Sequence, residues 1–471
     1  MRRTVFRYLA VSSLLLAVSN GAAATRPHYG ETMIVEIEAG LSSTDASGRP
    51  GDFAEARALN KLRALIGDRL VRLDSSGRPQ PALAISWEHD RANVKWTFKL
   101  RPGVSWHDGS GVTATDVAAA LEGLVPDRPW SAAGDALEID TGSPWPEFPV
   151  YLATAPGAAV LRKLAGPPGA APIGTGPFRV AEWQPSRRVV LAANEAYWGG
   201  RPYLDAIQIE MGRSSRERLI DLDLDKADLA ELGPAEARRA QQEGRRVWTS
   251  VPVELLALQF NLSRPETRER RLREAIARSI DRAAIQKVLL QNYGEPSGAI
   301  LPEWLSGFAF LFATARDLNR ARLLRSGMDP SPLKLGYDPS DALARQVAER
   351  VAVNARDAGI RLDVSPLPQG PAHTPDSGVD VSLIRARIDG PTLEQAVLQC
   401  SDWLGFPVSG LRGGALEEIY AAERRFLDDF TTVPLVNVPE LVGLGPRVKN
   451  WSAPRWGDWR LEDVWLETAK P

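Results

Sequence analysis

The chain has 471 residues, and at about 100 to 200 residues per domain this length predicts two or three domains. With 44% hydrophobic and 25% charged residues, the composition excludes a fibrous or disordered chain. Lys and Arg number 57 against 59 Asp and Glu, so the formal charge is -2. No broad positive field is available for nucleic acid, and no nucleic-acid partner is expected.

The first two dozen residues have the pattern of a signal peptide. Arg2, Arg3 and Arg7 precede an apolar run over 8–18, and small residues follow at 22–24. The run is shorter than the roughly 20 residues that a membrane-spanning helix needs. We therefore predict export and cleavage after Ala24. Because no Cys lies near that point, a lipid-anchored form is not expected.

The first half of the chain predicts strands, hairpins and loops. In chain order we expect a strand at 32–37, a helix that is followed by a short apolar segment within 54–73, and a hairpin over 87–100. Mainly loops are expected over 125–177, and strands at 178–183 and 189–192.

The second half shows the clearest α/β signal. Helical spacing predicts one long helix over 268–291, whose basic residues form a solvated face. A strand at 333–337, a helix with Asp341 as its N-cap and Gly359 as its stop, and a strand at 360–364 form a unit typical of parallel sheets. A helix over 416–430 and a final strand pair over 433–442, interrupted by two prolines, complete this half.

Enzymatic and metal-binding signatures are missing from the sequence. There is no Gly-x-Ser-x-Gly elbow, no His-Glu-x-x-His helix and no phosphate loop. The four histidines are not spaced as metal ligands on one helix, and Gly174-Thr175-Gly176 lacks the third glycine of a dinucleotide loop. His107-Asp108-Gly109 is typical of a turn. Cys400 is the single cysteine, expected to be a buried apolar residue. No catalytic residue, metal site or cofactor is predicted.

Tryptophan is unusually frequent, with 14 Trp against 12 Phe and 8 Tyr. Most are expected in packing roles. Trp304, after Pro302, and Trp403, after Ser401-Asp402, stand in apparent loops, where aromatic side chains are candidates for the walls of a ligand cleft.

Three blocks of sequence together resemble one known family. They are Pro81 to Trp87 with Trp96 to Gly109 and Thr113 to Val117; Gly174 to Phe178 with Tyr197-Trp198-Gly199-Gly200; and Leu258 to Ser263 with Leu272 to Ala277. In order and spacing this set is similar to the family 5 extracellular solute-binding proteins, which are the dipeptide, oligopeptide and nickel receptors of ABC importers.

The resemblance implies an α/β, two-lobed periplasmic binding protein fold of type II, cluster C-like, with mixed sheets and an additional small subdomain. The implied organisation is a signal peptide at 1–24, lobe I at 25–55, 173–252 and 435–471, a small subdomain at 56–172 packed on lobe I, and lobe II at 253–434. Crossing strands are expected near 253–261 and 433–438.

The resemblance also suggests ligand-binding residues. Peptide receptors of the family carry an Asp that meets the ligand's amino group, and the matching stretch here keeps Asp389 but lacks the flanking aromatic residues. Arg385 and Arg387 can meet a carboxylate or phosphate instead, or else be exposed strand residues. Trp304 and Trp403 would form walls, and Asn261 would lie near a crossing strand.

The function implied is that of a periplasmic receptor, not an enzyme, which captures a peptide or related small solute and delivers it to the permease of an ABC importer. A monomer is expected. Two alternatives stay open: a secreted hydrolase of peptides or cell-wall fragments, and a sensor or chaperone relative that has lost transport.

Overall fold

The computed structural model describes residues 26–43, 53–162, 171–368, 378–408, 410–411, 413–453 and 459–467. The predicted signal peptide and one of the four histidines, His373, lie outside the described residues. Within these ranges, no helix has both the length and the apolar character needed to cross a membrane.

Strands are spread along the whole described chain. In the described residues they are β1 Thr32–Glu36, β2 Val71–Leu73, β3 Pro79–Pro81, β4 Ala84–His89, β5 Lys95–Leu100, β6 Ser131–Ala133, β7 Ala136–Asp140, β8 Leu161–Arg162, β9 Ile173–Gly174, β10 Phe178–Gln184, β11 Arg188–Ala193, β12 Ala206–Glu210, β13 Leu229–Glu231, β14 Arg246–Phe260, β15 Glu295–Pro296, β16 Leu333–Tyr337, β17 Leu362–Pro366, β18 Val381–Arg387, β19 Thr432–Leu444, β20 Val448–Lys449 and β21 Trp465–Leu466.

Helices connect these strands. They are α1 Phe53–Ile66, α2 Ala114–Ala120, α3 Phe148–Thr154, α4 Ser215–Asp223, α5 Pro234–Gln242, α6 Arg270–Ser279, α7 Arg282–Ala284, α8 Glu303–Ser306, α9 Leu318–Arg325, α10 Ala342–Asp357, α11 Leu393–Leu404 and α12 Leu416–Leu427.

One mixed sheet runs through the described chain in the order β10-β11-β12-β1-β13-β19-β14-β18-β16-β17, with β15 also paired to β19. Strand β1 is parallel to β12 and β13, and β16 is parallel to β17 and β18, whereas β14 is antiparallel to β18 and β19. The mixed sheet agrees with the fold class expected from the sequence.

Strands β14 and β19 join the two ends of the sheet. Val442 and Leu444 of β19 pack in a core with β1 and α1, while Val433 and Val438 pack in a second core with α6 and α10. The predicted strand pair over 433–442 is wrong, because β19 is one strand of 13 residues. Its prolines are tolerated since the register with β14 shifts beside both of them.

Helix α1 belongs to the core around β1. Its residues Leu59, Leu62, Leu65 and Ile66 are buried there together with Met33 of β1. This packing favours placing α1 with the first lobe rather than with the small subdomain, where the sequence analysis put residues from 56 onward. The other lobe boundaries stay predictions.

The region after α1 forms a separate core around the sheet β4-β5-β7-β6. The predicted hairpin is confirmed, since β4 and β5 are antiparallel neighbours. Aromatic side chains fill this core, among them Trp96, Phe98, Trp130, Trp145 and Phe148. Much of the tryptophan excess is therefore explained by packing.

The second core confirms the predicted strand, helix, strand unit. Helix α10 begins after Asp341, whose side chain accepts from the backbone N–H of Ala344, and it connects the parallel strands β16 and β17. Gly359 has a positive φ of 78°, a conformation that suits the turn after the helix.

The single helix predicted over 268–291 is wrong. Helix α6 ends at Ser279 because Ile280 has extended backbone and Asp281 caps a new turn, α7. Two of the basic residues are also buried rather than solvated: the Arg273 guanidinium donates to the carbonyl of Asp429, and that of Arg282 donates to the carbonyl of Pro434.

Candidate functional site

A cavity of ≈ 150 Å³ lies beside the middle of β14 and β19. It is lined by α1, by the turn from β13 into α5, by the start of α10, and by residues of β18 and β19. The cavity therefore has one wall from each of the two cores. Nine of the 22 lining residues are charged, and most of these are paired with one another.

Glu254 is the centre of the charged cluster. It lies on β14 among apolar neighbours, and its side chain is 0% exposed. Its carboxylate accepts from Arg385 at 2.8 Å, accepts from Arg57 at 3.2 Å, and lies 3.6 Å from Arg387. A buried carboxylate with three guanidinium neighbours is stable only because those charges surround it.

Two further carboxylates connect α1 to the sheet. Glu231 at the end of β13 accepts from Lys61 at 2.9 Å and from Arg57 at 3.3 Å. Glu440 of β19 lies 3.3 Å from Lys61 and accepts from Arg387 at 2.7 Å. The cluster thus joins α1, which packs in the first core, to β18, which has side chains in the second core.

Burial and pairing act in opposite directions on these groups. Burial disfavours the charged form of Glu231, but the positive charges of Arg57 and Lys61 outweigh it, and the pKa of Glu231 lies below its ordinary value. Burial opposes ionisation of Glu440 as well, yet Lys61 and Arg387 lower its pKa. For Arg385, burial is outweighed by Glu254 and Asp341, which raise its pKa. These residues are ions in the folded protein.

The structure brings Arg385, Arg387 and Asp389 together. Arg385 lines the cavity and donates to Asp341 at 2.7 Å, while Arg387 donates to Asp389 at 2.5 Å. Gln399 donates to the second oxygen of Asp389 at 2.7 Å. The interpretation of both arginines as exposed strand residues is wrong, since their side chains are only 15% and 14% exposed.

The two predicted tryptophans lie on helices and not in loops. Trp403 is in the last turn of α11 and packs on Phe53 with ring centroids 5.5 Å apart, and the Arg385 guanidinium lies 5.4 Å from the same Phe53 ring. Trp304 is in the short helix α8, and its indole N–H donates to the carbonyl of Pro252 at 2.8 Å. Trp403 is thereby connected to the cluster through Phe53.

Asn261 lies away from the cluster. It follows the last residue of β14, and its backbone N–H donates to the carbonyl of Asp380. Seven residues separate it from Glu254, which is about 23 Å along an extended strand. The structure does not bring it together with Arg385 and Asp389.

Sequence reasoning missed five members of the cluster: Arg57, Lys61, Glu231, Glu254 and Glu440. A signal existed for two of them. Glu254 and Glu440 each interrupt an apolar strand, and a charge in such a run is expected to be paired when buried. The other three lie on elements whose tertiary neighbours no local pattern identifies.

The remaining chemical motifs have structural roles. His107 lies 3.1 Å from the carbonyl oxygen of Gly176, and Asp108 accepts from Arg162. Gly174 passes so close to the end of α1 that a Cβ there would lie 1.6 Å from the carbonyl oxygen of Ile66. Cys400 is buried, as expected. Among the described residues, no group of three or more His, Cys, Asp or Glu side chains is placed to hold a metal ion.

Comparison with known proteins gives one consistent result. The sequence model of the bacterial extracellular solute-binding proteins, family 5 (middle), matches residues 78–395. The nickel-binding protein NikA of Staphylococcus aureus is 24% identical over 315 residues, 63% of this chain and 64% of that protein. The dipeptide-binding protein of Escherichia coli K12 is 22% identical over 337 residues, 60% of this chain and 62% of that protein. These alignments span less than two thirds of the curated relatives' lengths.

The likeness in structure extends further along the chain. DppA from Helicobacter pylori, solved in complex with the peptide STSA, superposes with a TM-score of 0.80 at 19% identity, covering 94% of this chain and 99% of that one. The two-lobed periplasmic binding protein fold expected from the sequence is thereby confirmed.

Proposed function

Because the chain belongs to the bacterial extracellular solute-binding proteins of family 5, we propose that it is the receptor of an ABC importer. It captures a peptide or related small solute between its two lobes and delivers it to a membrane permease. One observation carries the proposal: a cavity of ≈ 150 Å³ lies between elements of both cores and is lined by buried charges.

The proposed mechanism is closure of the lobes on the ligand. Lobe I comprises 25–55, 173–252 and 435–471, now with α1 added, the small subdomain follows α1 up to 172, and lobe II comprises 253–434. A ligand that contacts both walls favours the closed state by its higher affinity for that state. The permease then distinguishes the loaded receptor by its shape.

The predicted site residues take different parts in this proposal. Arg385 reaches the cavity and is the proposed contact for an electron-rich or anionic group of the ligand. Arg387 and Asp389 lie one ion pair behind, so we propose that they position Glu440. Trp403 supports this wall through Phe53, and Trp304 supports the adjoining turn of β14.

We further propose that the protein acts in the periplasm as a monomer after removal of residues 1–24, and that it is not an enzyme. Family members are binding proteins by their general nature, which supports this reading. A fluorogenic peptide library should give no turnover above that of a buffer blank. Turnover that follows the purified protein would favour the hydrolase alternative.

Native mass spectrometry of protein purified from a periplasmic extract without refolding tests the proposal. We expect an added mass that is lost on denaturation. Arg385→Met should lose most of it, because the substitution removes the guanidinium from the cavity wall. The matched control is Arg345→Met on the outer face of α10, where the side chain is 64% exposed, and it should retain the mass.

The scattering profile provides a second readout. Re-addition of the released solute should contract the wild-type protein and leave Arg385→Met unchanged. A protein that carries no added mass and does not contract with any fraction of the extract would contradict the receptor proposal and favour the sensor or chaperone alternative.

A further inference from the structure

Helix α11 carries a leucine on the side that faces away from its own core. Ala396, Val397 and Cys400 of α11 are buried in one core with Ile384 of β18. At 3.6 residues per turn, Leu398 lies about 160° round the helix from Cys400. An apolar side chain in that position would be exposed if α11 packed on β18 alone, so a second surface has to cover it.

The small subdomain supplies that surface. Leu398 is partly buried against the aromatic core of the subdomain, which contains Trp96 and Phe148. In the proposed organisation α11 belongs to lobe II, whereas the subdomain packs on lobe I. The apolar contact of Leu398 therefore crosses from one lobe to the other.

A polar contact crosses at the start of the same helix. Thr392, the N-cap of α11, donates from its hydroxyl to a carboxylate oxygen of Glu147 at 2.5 Å. Glu147 stands at the N-cap position of α3 in the subdomain, yet its side chain makes no capping hydrogen bond there. An N-cap side chain normally accepts from its own helix. The carboxylate of Glu147 instead connects α3 to α11.

The other end of α11 reaches α1 and, through it, the cavity wall. Trp403 packs on Phe53 of α1, and the guanidinium of Arg385, which lines the cavity, lies 5.4 Å from the same Phe53 ring. The helix rises about 16 Å between Thr392 and Trp403. Contacts with the first lobe and its subdomain therefore extend along most of α11.

Gln399 joins α11 to the charged cluster. Its side-chain oxygen accepts from the backbone N–H groups of Asp389 and Gly390, and its amide donates to the carboxylate of Asp389. Asp389 also accepts from Arg387, which donates to Glu440 on the crossing strand β19. A movement of α11 is thus coupled to the side chains behind the cavity.

We infer that α11 is a latch, which docks on the small subdomain when the lobes close and leaves it when they open. Leu398 and Thr392 make the docking contacts, while Gln399 and Trp403 connect the latch to the cavity. This inference rests on the proposed receptor function and adds what holds the closed state together. It also gives the small subdomain a part in closure.

The distance between two spin labels measures the docking. Glu122→Cys, at an exposed position of the subdomain, and Arg345→Cys, on the outer face of α10, carry the labels, and the natural Cys400 is buried. Pulsed electron paramagnetic resonance of the protein as purified should show one predominant short distance. Leu398→Asp should move most molecules to a longer distance, because docking would place an unpaired carboxylate against an apolar core.

A milder variant and a control accompany it. Glu147→Ala combined with Leu398→Ser removes the acceptor of the Thr392 hydroxyl and the apolar contact without burying a charge. It should raise the ratio of long to short distances at least about tenfold. Leu323→Asp on α9, where the side chain is 62% exposed, is the matched control and should give the wild-type distances.

The outcomes decide the inference. A longer distance in a variant whose circular dichroism matches the wild type supports the latch. Unchanged distances in the folded variants overturn it, and so does a loss of stability to urea without a longer distance, since that marks a fixed interface. A wild-type protein with the longer distance predominant overturns it as well.

The receptor proposal is judged separately, by the solute retained in native mass spectrometry. A wild-type protein that retains a solute, with variants that keep the wild-type distances, loses only the latch. A wild-type protein that neither retains a solute nor contracts, with variants that do lengthen the distance, keeps the latch and loses the receptor function.

Discussion

Replacement of Glu254 by Gln tests whether the charged cluster holds the two halves of the sheet together. The substitution keeps the shape of the side chain and one acceptor oxygen but removes the negative charge shared by Arg57, Arg385 and Arg387. Because the side chain is 0% exposed, water cannot replace that charge. The variant leaves three buried guanidinium groups undercompensated.

The distances set the size of the effect. At an effective dielectric constant of about 20, the contacts at 2.7 Å and 3.2 Å each correspond to a Coulomb energy of roughly 5–6 kcal/mol. Dehydration of the ions cancels much of this attraction, and loss of one partner from a buried pair costs about 3–5 kcal/mol. We expect Glu254→Gln to lower the free energy of unfolding by about 3 kcal/mol, since the amide oxygen still accepts one bond.

Urea unfolding followed by tryptophan fluorescence measures this loss. Glu349→Gln breaks an exposed pair with Arg345 and should leave the midpoint unchanged. The double variant Glu254→Gln with Arg385→Met should be more stable than the sum of the single effects predicts, because it removes an uncompensated charge. A loss below about 1 kcal/mol in Glu254→Gln would refute the view that the charge of Glu254 is needed to compensate the three buried guanidinium groups.

Three further predictions concern other buried positions. Burial raises the pKa of Glu423 from its ordinary 4.5 to about 7, so between these pH values the unfolded chain has lost a proton that the folded protein still holds. Stability should therefore fall by about 3 kcal/mol from pH 4.5 to 7, and Glu423→Gln should flatten that part of a denaturation series. Gly174→Ala should cost at least about 3 kcal/mol, because its Cβ would overlap the Ile66 carbonyl, whereas Gly111→Ala meets open space and should be tolerated. Cys400 should react with a thiol reagent only after denaturation, since burial, with the charge of Glu423 adding to it, raises its pKa well above the ordinary value.

Local patterns predicted the elements whose own sequence determines them. The unit β16–α10–β17 was predictable because a capping Asp341, helical spacing and Gly359 all agree. The strand pair expected over 433–442 is wrong because proline does not end a strand at either position. In β19 the tertiary partner β14 shifts register beside Pro434 and Pro439, and that accommodation depends on a segment about 180 residues away in sequence.

The site was predictable only in part for the same reason. Arg385, Arg387 and Asp389 were identified through one stretch of sequence, and they do lie together. Their partners come from α1, β13, β14 and β19, which meet only in the folded chain. Whether an arginine faces solvent, a ligand or a carboxylate depends on those partners, so the sequence left the alternatives open.

The position of the cluster links its chemistry to the proposed closure. Pro252 and Pro439 lie opposite each other in the middle of β14 and β19, and neither can donate a ladder hydrogen bond. Register shifts lie on both sides of Pro252, so the two strands are least tightly joined there. Glu254 and Glu440 are within two residues of these prolines. In the proposed closure, bending at this point moves α1 relative to β18 and changes the pairing of Arg57 with Glu254. A ligand that replaces the pairings lost here would therefore favour the closed arrangement directly at the place where the sheet can bend.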